Sequence, residues 1–340
     1  MNRLLTTLIF SVILVSCNSK EETLLGLVTE GNEYLANGDY QSAIGRYNTA
    51  LEIDEDYASA LNNRGVAYNK LGNIEMALED YSKAIDLEPR FYDALLNRAI
   101  LSMELNQYYS AISDVGVIQM NYPDSVEADF TAGLIYTQLR EFSKAKDSFD
   151  QAVMKDPDNA EIFVNRGTLF YYMEQYESAI EDLVEALFIN PNESNAYNAL
   201  SMVYTDLMNM EKALETVNKA LNIESNHPYF LNNRGFIYLA LNRYPEAESD
   251  INRSIQLDPD NAWVYRNKGI LYLRTKNFEE AQRLLIQTID MDEYVENVYF
   301  YLGEAYRENG QHPEACESYR ESANMMEKEG ITAYNSYCKD

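Results

Sequence analysis

The chain has 340 residues, 46% of them hydrophobic, and carries 55 acidic against 27 basic side chains, a net charge of −28. That surplus of carboxylates excludes the basic footprint that nucleic-acid phosphates need. It leaves attraction to a basic partner, or acidic outer faces that keep an extended chain dissolved.

The first element is a short basic start, Met1-Asn2-Arg3, followed by an apolar run from Leu4 to Ser16. A helix needs about 20 apolar residues to span a bilayer, so thirteen fit a signal-peptide core instead. The run ends in Leu14-Val15-Ser16-Cys17, which resembles the lipobox of bacterial lipoproteins, and Asn18-Ser19-Lys20-Glu21-Glu22 follows as a polar tether. The resemblance implies a signal peptide over 1–16, lipidation (palmitate class) at Cys17 and a tether over 17–23. Lipid chains anchor a protein by about 0.8 kcal/mol per buried CH₂. Asn18 is not the aspartate that retains many lipoproteins at the inner membrane, and Lys20-Glu21-Glu22 is similar to a surface-export signal of some of them. The implied location is the bacterial cell envelope, at the outer membrane or on the cell surface. A chance cysteine behind an ordinary signal peptide is the other reading.

From Leu24 to Glu329 the chain repeats every 34 residues without a gap, as Ala43, Ala77, Ala111, Ala145, Ala179, Ala213, Ala247, Ala281 and Ala315 mark. The repeats begin at Leu24, Ala58, Tyr92, Val126, Ala160, Ser194, Pro228, Ala262 and Glu296. Position 8 is glycine in seven repeats, with Ala99 and Ser201 as the exceptions; position 11 is Tyr34 and its equivalents; position 24 is large and apolar; position 32 is proline five times. Positions 4, 8 and 11 share one face of a helix, and 20, 24 and 27 share one face of a second. Small residues at 8 and 20 let the helices approach, aromatics fill the space beside them, and proline ends the second helix. A fixed period of this kind marks a solenoid of helical hairpins.

The pattern resembles the tetratricopeptide repeat (TPR) family over residues 24–329, with small residues at 8 and 20, an aromatic at 11 and proline at 32. The resemblance implies an all-α, right-handed superhelical solenoid of nine tandem repeats, with helix A of each lining a concave groove. Length alone suggests two domains; the unbroken repeat makes the array one continuous unit, with residues 330–340 as a C-terminal tail. Repeat 3, with Ser102 at position 11 and Val115 at 24, departs most and is expected to pack more loosely.

Positions 2, 5, 6, 9, 12 and 13 of helix A are expected to face the groove. Asn63, Asn97, Asn165, Asn233 and Asn267 recur at position 6, with Asn62, Asn198 and Asn232 at 5. A side-chain amide both donates and accepts, so a row of them suits the backbone of an extended peptide. The row is similar to the asparagine ladder in the groove of other TPR proteins; the alternative is that these amides satisfy neighbouring helices. Arg64, Arg98, Arg166 and Arg234 at position 7 occur only with Asp80, Asp114, Asp182 and Asp250 at 23, which reads as structural ion pairs between helices A and B. The densest candidate surface joins Tyr229, Asn232, Asn233 and Phe236 to Trp263, Arg266, Asn267, Ile270 and Arg274. Tryptophan, tyrosine and arginine are the commonest hot-spot residues. Chaperone-binding TPR proteins carry a basic clamp residue at position 5, where this chain has only Arg266.

Cys316 and Cys338 remain once Cys17 is set aside, and either a disulfide pinning the tail or two free thiols fits. No metal-ligand spacing, phosphate loop or nucleophile motif is present, so neither cofactor nor enzymatic activity is expected. The expected function is a lipid-anchored scaffold or adaptor that holds an extended segment of a partner protein. The rival is a surface lipoprotein that stacks glycans on Tyr171, Tyr172 and Trp263.

Overall fold

The computed structural model describes residues 20–339, so the signal peptide and Cys17 lie outside the described residues. The chain divides into two compact units at Pro157/Asp158. Each repeat leans mainly on its neighbours, so an unbroken period is compatible with two such units.

Unit 1 contains α1 (20–36), α2 (Tyr40–Ile53), α3 (Ala58–Lys70), α4 (Ile74–Leu87), α5 (Tyr92–Glu104), α6 (Tyr108–Asn121), α7 (Val126–Gln138) and α8 (Phe142–Lys155). Residues 20–23, expected as tether, are already helical, and Lys20 pairs with Asp54 at 3.0 Å. Unit 2 contains α9 (Ala160–Tyr172), α10 (Tyr176–Ile189), α11 (Ser194–Asp206), α12 (Met210–Ile223), α13 (Pro228–Ala240) and α14 (Tyr244–Leu257). It continues with α15 (Ala262–Arg274), α16 (Phe278–Met291), α17 (Val298–Glu308), α18 (His312–Asn324) and α19 (Lys328–Tyr337). Every described element is helical. None is long and apolar enough to cross a membrane.

Helices keep the repeat phase to the residue. In repeats 2–8 helix A runs from position 1 to 13, and helix B starts at position 17 in all nine. Position 15 is left-handed every time, at Gly38, Gly72 and Gly310 but also at Asn106, Arg140, Glu174, Met208, Asn242 and Lys276. There the N–H of position 16 reaches the carbonyl of 11, as in Asp39 to Tyr34 and Asn209 to Tyr204, which satisfies the end of helix A.

Within a hairpin, position 8 meets position 24. A Cβ on Gly65 would stand 2.7 Å from the Tyr81 ring, and one on Gly235 would stand 2.8 Å from Ile251. Where position 8 is larger, position 24 is smaller: Ala99 is matched by Val115 and Ser201 by Val217, all fully buried. Repeat 3 is therefore compensated rather than loose, and Ser102 is buried as well.

The four Arg–Asp pairs form. Arg64 grips Asp80 with Nε and Nη2 at 2.8 and 2.7 Å, and Arg98–Asp114, Arg166–Asp182 and Arg234–Asp250 repeat the fork. A third N–H of Arg64, Arg98 and Arg234 reaches helix B of the preceding repeat, at Asn48, Ser82 and Asn218. Each of these arginines thus ties three helices. The aspartate hydrogen bond raises the basicity of these three guanidinium groups against the opposing effect of burial. Repeat 1 carries the swapped pair, Arg46 with Glu30 at 3.2 Å.

Helix A also touches helix A of the next repeat within each unit (α3 with α5, α5 with α7, α9 with α11, α11 with α13, α13 with α15, α15 with α17), whereas successive B helices do not. Each unit therefore curves towards its A helices, and the A face is the inner one. The residues after repeat 9, expected as a tail, form α19, which packs on α17 and α18.

Candidate partner-binding surface

The curvature decides which A-helix positions stay open. Inner helices converge, so positions 5 and 6 fall between neighbours. The asparagines there join one repeat to the next: Asn97 Nδ2 donates to Asn62 at 3.0 Å, Asn233 to Asn198 at 2.9 Å and Asn267 to Asn232 at 2.8 Å. Asn63 donates to Asn32 at 2.8 Å, and Asn165 to the Glu161 carbonyl of its own helix. Asn62, Asn232 and Asn267 are buried. This corrects the peptide-holding role given to Asn63, Asn97, Asn165, Asn232, Asn233 and Asn267: all but Asn232 donate within the protein, and Asn232 accepts from Asn267.

Arg266 and Ile270 need the same correction. Ile270 is core beside Leu239 and Val264. Arg266 is buried, with Nη1 on the Glu296 carbonyl at 2.9 Å and Nε and Nη2 on Asn267 Oδ1. Its guanidinium lies 4.6 Å from the Trp263 ring and 5.3 Å from Phe236. Burial pushes its basicity down, with Tyr301 and Glu296 opposing. It is a brace beneath the surface rather than a clamp on it. Phe236 is half-buried against the same core.

What remains open in unit 2 lies at positions 2 and 13. Tyr229 is 52% exposed, Trp263 37% and Tyr172 50%, and Arg274 is exposed. Beside them is a group that sequence reading missed. The hydroxyls of Tyr171 and Tyr176 lie close enough to the Asp206 carboxylate to act on its titration, and Tyr171 also feels Glu296. Asp206 and Glu296 are open to solvent yet crowded on several sides. Desolvation raises the pKa of both; the tyrosine hydroxyls oppose it at Asp206, and Arg266 opposes it at Glu296. Neither side chain is ion-paired with a lysine or arginine at contact distance among the described residues. Of the rings expected as stacking platforms, Tyr171 is half-buried, and burial raises its hydroxyl pKa. No single-helix pattern points to this group, because it joins α9, α10, α11 and the turn before α17.

Cys316 and Cys338 are bridged, with Cα atoms 5.6 Å apart.

Known families agree with this architecture. A model described as TPR repeat matches residues 31–72, and models described as Tetratricopeptide repeat match 58–91, 128–159, 160–193, 194–227, 227–293 and 266–325. The chain belongs to the tetratricopeptide repeat family, a class of helical scaffolds for protein–protein interaction. No curated protein matches it. Among solved structures it is similar to the APC/C hetero-tetramer Cut9–Hcn1, with TM-score 0.63, 15% identity and 92% of this chain covering 76% of that one. Two further similarities are to yeast Tom70, with TM-score 0.44, 18% identity and coverage of 94% and 96%, and to a tetratricopeptide repeat protein of Parabacteroides merdae, with TM-score 0.47, 18% identity and coverage of 84% and 99%. At these identities the likeness concerns the fold.

Proposed function

We propose that the protein is a lipid-anchored scaffold of a bacterial envelope, held by Cys17 at the outer membrane, and that unit 2 binds an extended segment of a partner protein on its A face. One observation carries the binding site: Tyr229 and Trp263, at position 2 of consecutive A helices, leave 52% and 37% of their surface open on the inner side of the curve. Aromatic anchors on an inner face are what a partner segment desolvates. The carboxylates of Asp206 and Glu296, without a cation in contact, favour a segment with basic side chains. The Cys316–Cys338 bridge fits an exported chain, since disulfides persist in oxidising compartments.

Two measurements test this. Trp263→Ala should weaken partner binding tens-fold, roughly 2 kcal/mol, and leave the melting temperature nearly unchanged. If it unfolds the C-terminal repeats instead, Trp263 is core and the site is misplaced. Cys17→Ala should leave an unprocessed or soluble precursor; normal maturation and fractionation with the outer membrane would remove the anchor. Oligosaccharides that quench Trp263 fluorescence while peptides do not would favour glycan binding.

A further inference from the structure

The C-terminal helix is short and packs on α17 and α18 along one side only. α19 has ten residues, and Gly330 is its one buried side of contact. An isolated helix of this length is marginal in water, and most helical stability comes from packing an apolar face. Gly330 lies so close to Ser322 that a Cβ would stand 2.0 Å from the hydroxyl oxygen. Ile331 and Tyr334 are half-buried, and the rest of α19 is largely open. Its far end is fastened by the disulfide from Cys338, directly after the helix, to Cys316 in α18, beside Tyr337, whose ring stacks on His312 and lies 5.5 Å from the Arg307 guanidinium. Both cysteines are half-buried.

The near end of α19 is joined to the candidate surface. Glu327, its N-cap, accepts the backbone N–H of Asn297 at 2.5 Å and the Ser322 hydroxyl at 2.5 Å. Asn297 stands in the left-handed region at φ +59°, and α17 starts two residues later in its repeat than the other A helices do. A non-glycine residue in that conformation needs its surroundings to hold it. One residue before it, the Glu296 carbonyl takes Arg266 Nη1 at 2.9 Å. Arg266 in turn underlies Trp263 and carries Asn267 in the link to Asn232. Contacts therefore run without a gap from the disulfide through α19, Glu327, the 296–297 turn and Arg266 to Trp263.

We propose that the Cys316–Cys338 disulfide is a clasp that sets the partner-binding face at Trp263. Closed, it holds α19 on the end of the array, and α19 holds the turn on which Arg266 rests. Opened, it lets α19 fray, the 296–297 turn loosens, and Arg266 loses its carbonyl partner. The opening reagent is a dithiol: the Cys316–Cys338 S–S bond breaks, the two cysteines gain two electrons and two protons as thiols, and the dithiol is oxidised to its own disulfide. The effect on partner affinity rests on the binding site proposed above; the coupling from clasp to Trp263 does not.

The test compares the oxidised full-length protein with the same protein treated with dithiothreitol and with Cys316→Ser and Cys338→Ser. Trp263 is the only tryptophan, so its fluorescence reports this face without any ligand. Expected in all three opened forms are at least tenfold faster amide exchange over 328–337 and 292–298, and a red-shifted Trp263 emission. Exchange in α9–α12 should stay unchanged. Glu327→Gln, with the disulfide intact, should loosen 292–298 and shift Trp263 while 328–337 stays protected. Continued protection of α19 after reduction overturns the proposal. So does fraying of α19 with no change at Trp263, because the disulfide would then pin only the end of the chain. If Trp263 responds to the clasp while a basic peptide binds the face in neither state, the clasp stands and the partner reading falls.

Discussion

Units 1 and 2 share one frame and differ at the positions the frame leaves free. Both carry the glycine contact between positions 8 and 24, the forked Arg–Asp pair and the asparagine links between A helices. At position 2, unit 1 has Leu25, Ser59, Asp93 and Glu127, and unit 2 has Glu161, Asn195, Tyr229, Trp263 and Asn297, so only unit 2 places aromatic rings there. At position 13, unit 1 has Ala36, Lys70, Glu104 and Gln138, and unit 2 has Tyr172, Asp206, Ala240, Arg274 and Glu308. A repeated fold needs its packing residues in every repeat, so binding chemistry can reside only at the exposed remainder. At these two positions unit 1 has no aromatic ring, while unit 2 gathers Tyr172, Tyr229 and Trp263 with the desolvated Asp206.

If the frame is common, damage to it should cost the same in either unit. Asp80→Ala and Asp250→Ala each leave a half-buried guanidinium without its carboxylate, and each should cost about 3 kcal/mol in urea denaturation. A large loss in one unit and none in the other would break the equivalence. Gly65→Ala drives a methyl group into the buried Tyr81 ring and should cost about 2 kcal/mol; pairing it with Tyr81→Val, the size seen opposite Ala99, should recover part of that loss. Met208→Gly relieves a left-handed residue and should stabilise unit 2 by about 1 kcal/mol, visible as a higher melting temperature.

The smallest effect is on pH dependence. The pKa values of Asp206 and Glu296 are raised in the folded chain above the ordinary 3.8 and 4.5. Their contribution therefore favours the fold at low pH and is lost as pH rises through the raised values. Affinity for a basic peptide should run the other way and climb several-fold over the same window as both groups ionise. Asp206→Asn should flatten that profile. A pH-independent affinity would separate these carboxylates from the site.

Much of the frame is legible in the sequence because packing repeats with the period. The arginine pairs were readable from co-occurrence at positions 7 and 23. The asparagines were misjudged because helical periodicity tells which face a residue is on, not how close the next helix comes. The usable signal was an amide at position 5 followed 35 residues later by one at 6: Asn62 with Asn97, Asn198 with Asn233, Asn232 with Asn267. Left-handed position 15 escaped notice because only three of its nine residues are glycine. The Tyr171–Tyr176–Asp206 group depends on three helices meeting, which no local pattern encodes.

The most direct test of the account places a photoreactive residue at position 2 in each unit, at Tyr229 and, separately, at Asp93, in the otherwise intact protein in its own cells. After irradiation, crosslinks to partner protein are mapped. Strong crosslinks are expected from Tyr229 to one extended segment rich in basic residues, and little from Asp93. Equal yields from both positions, or a yield from Asp93 alone, would contradict the assignment of binding to unit 2.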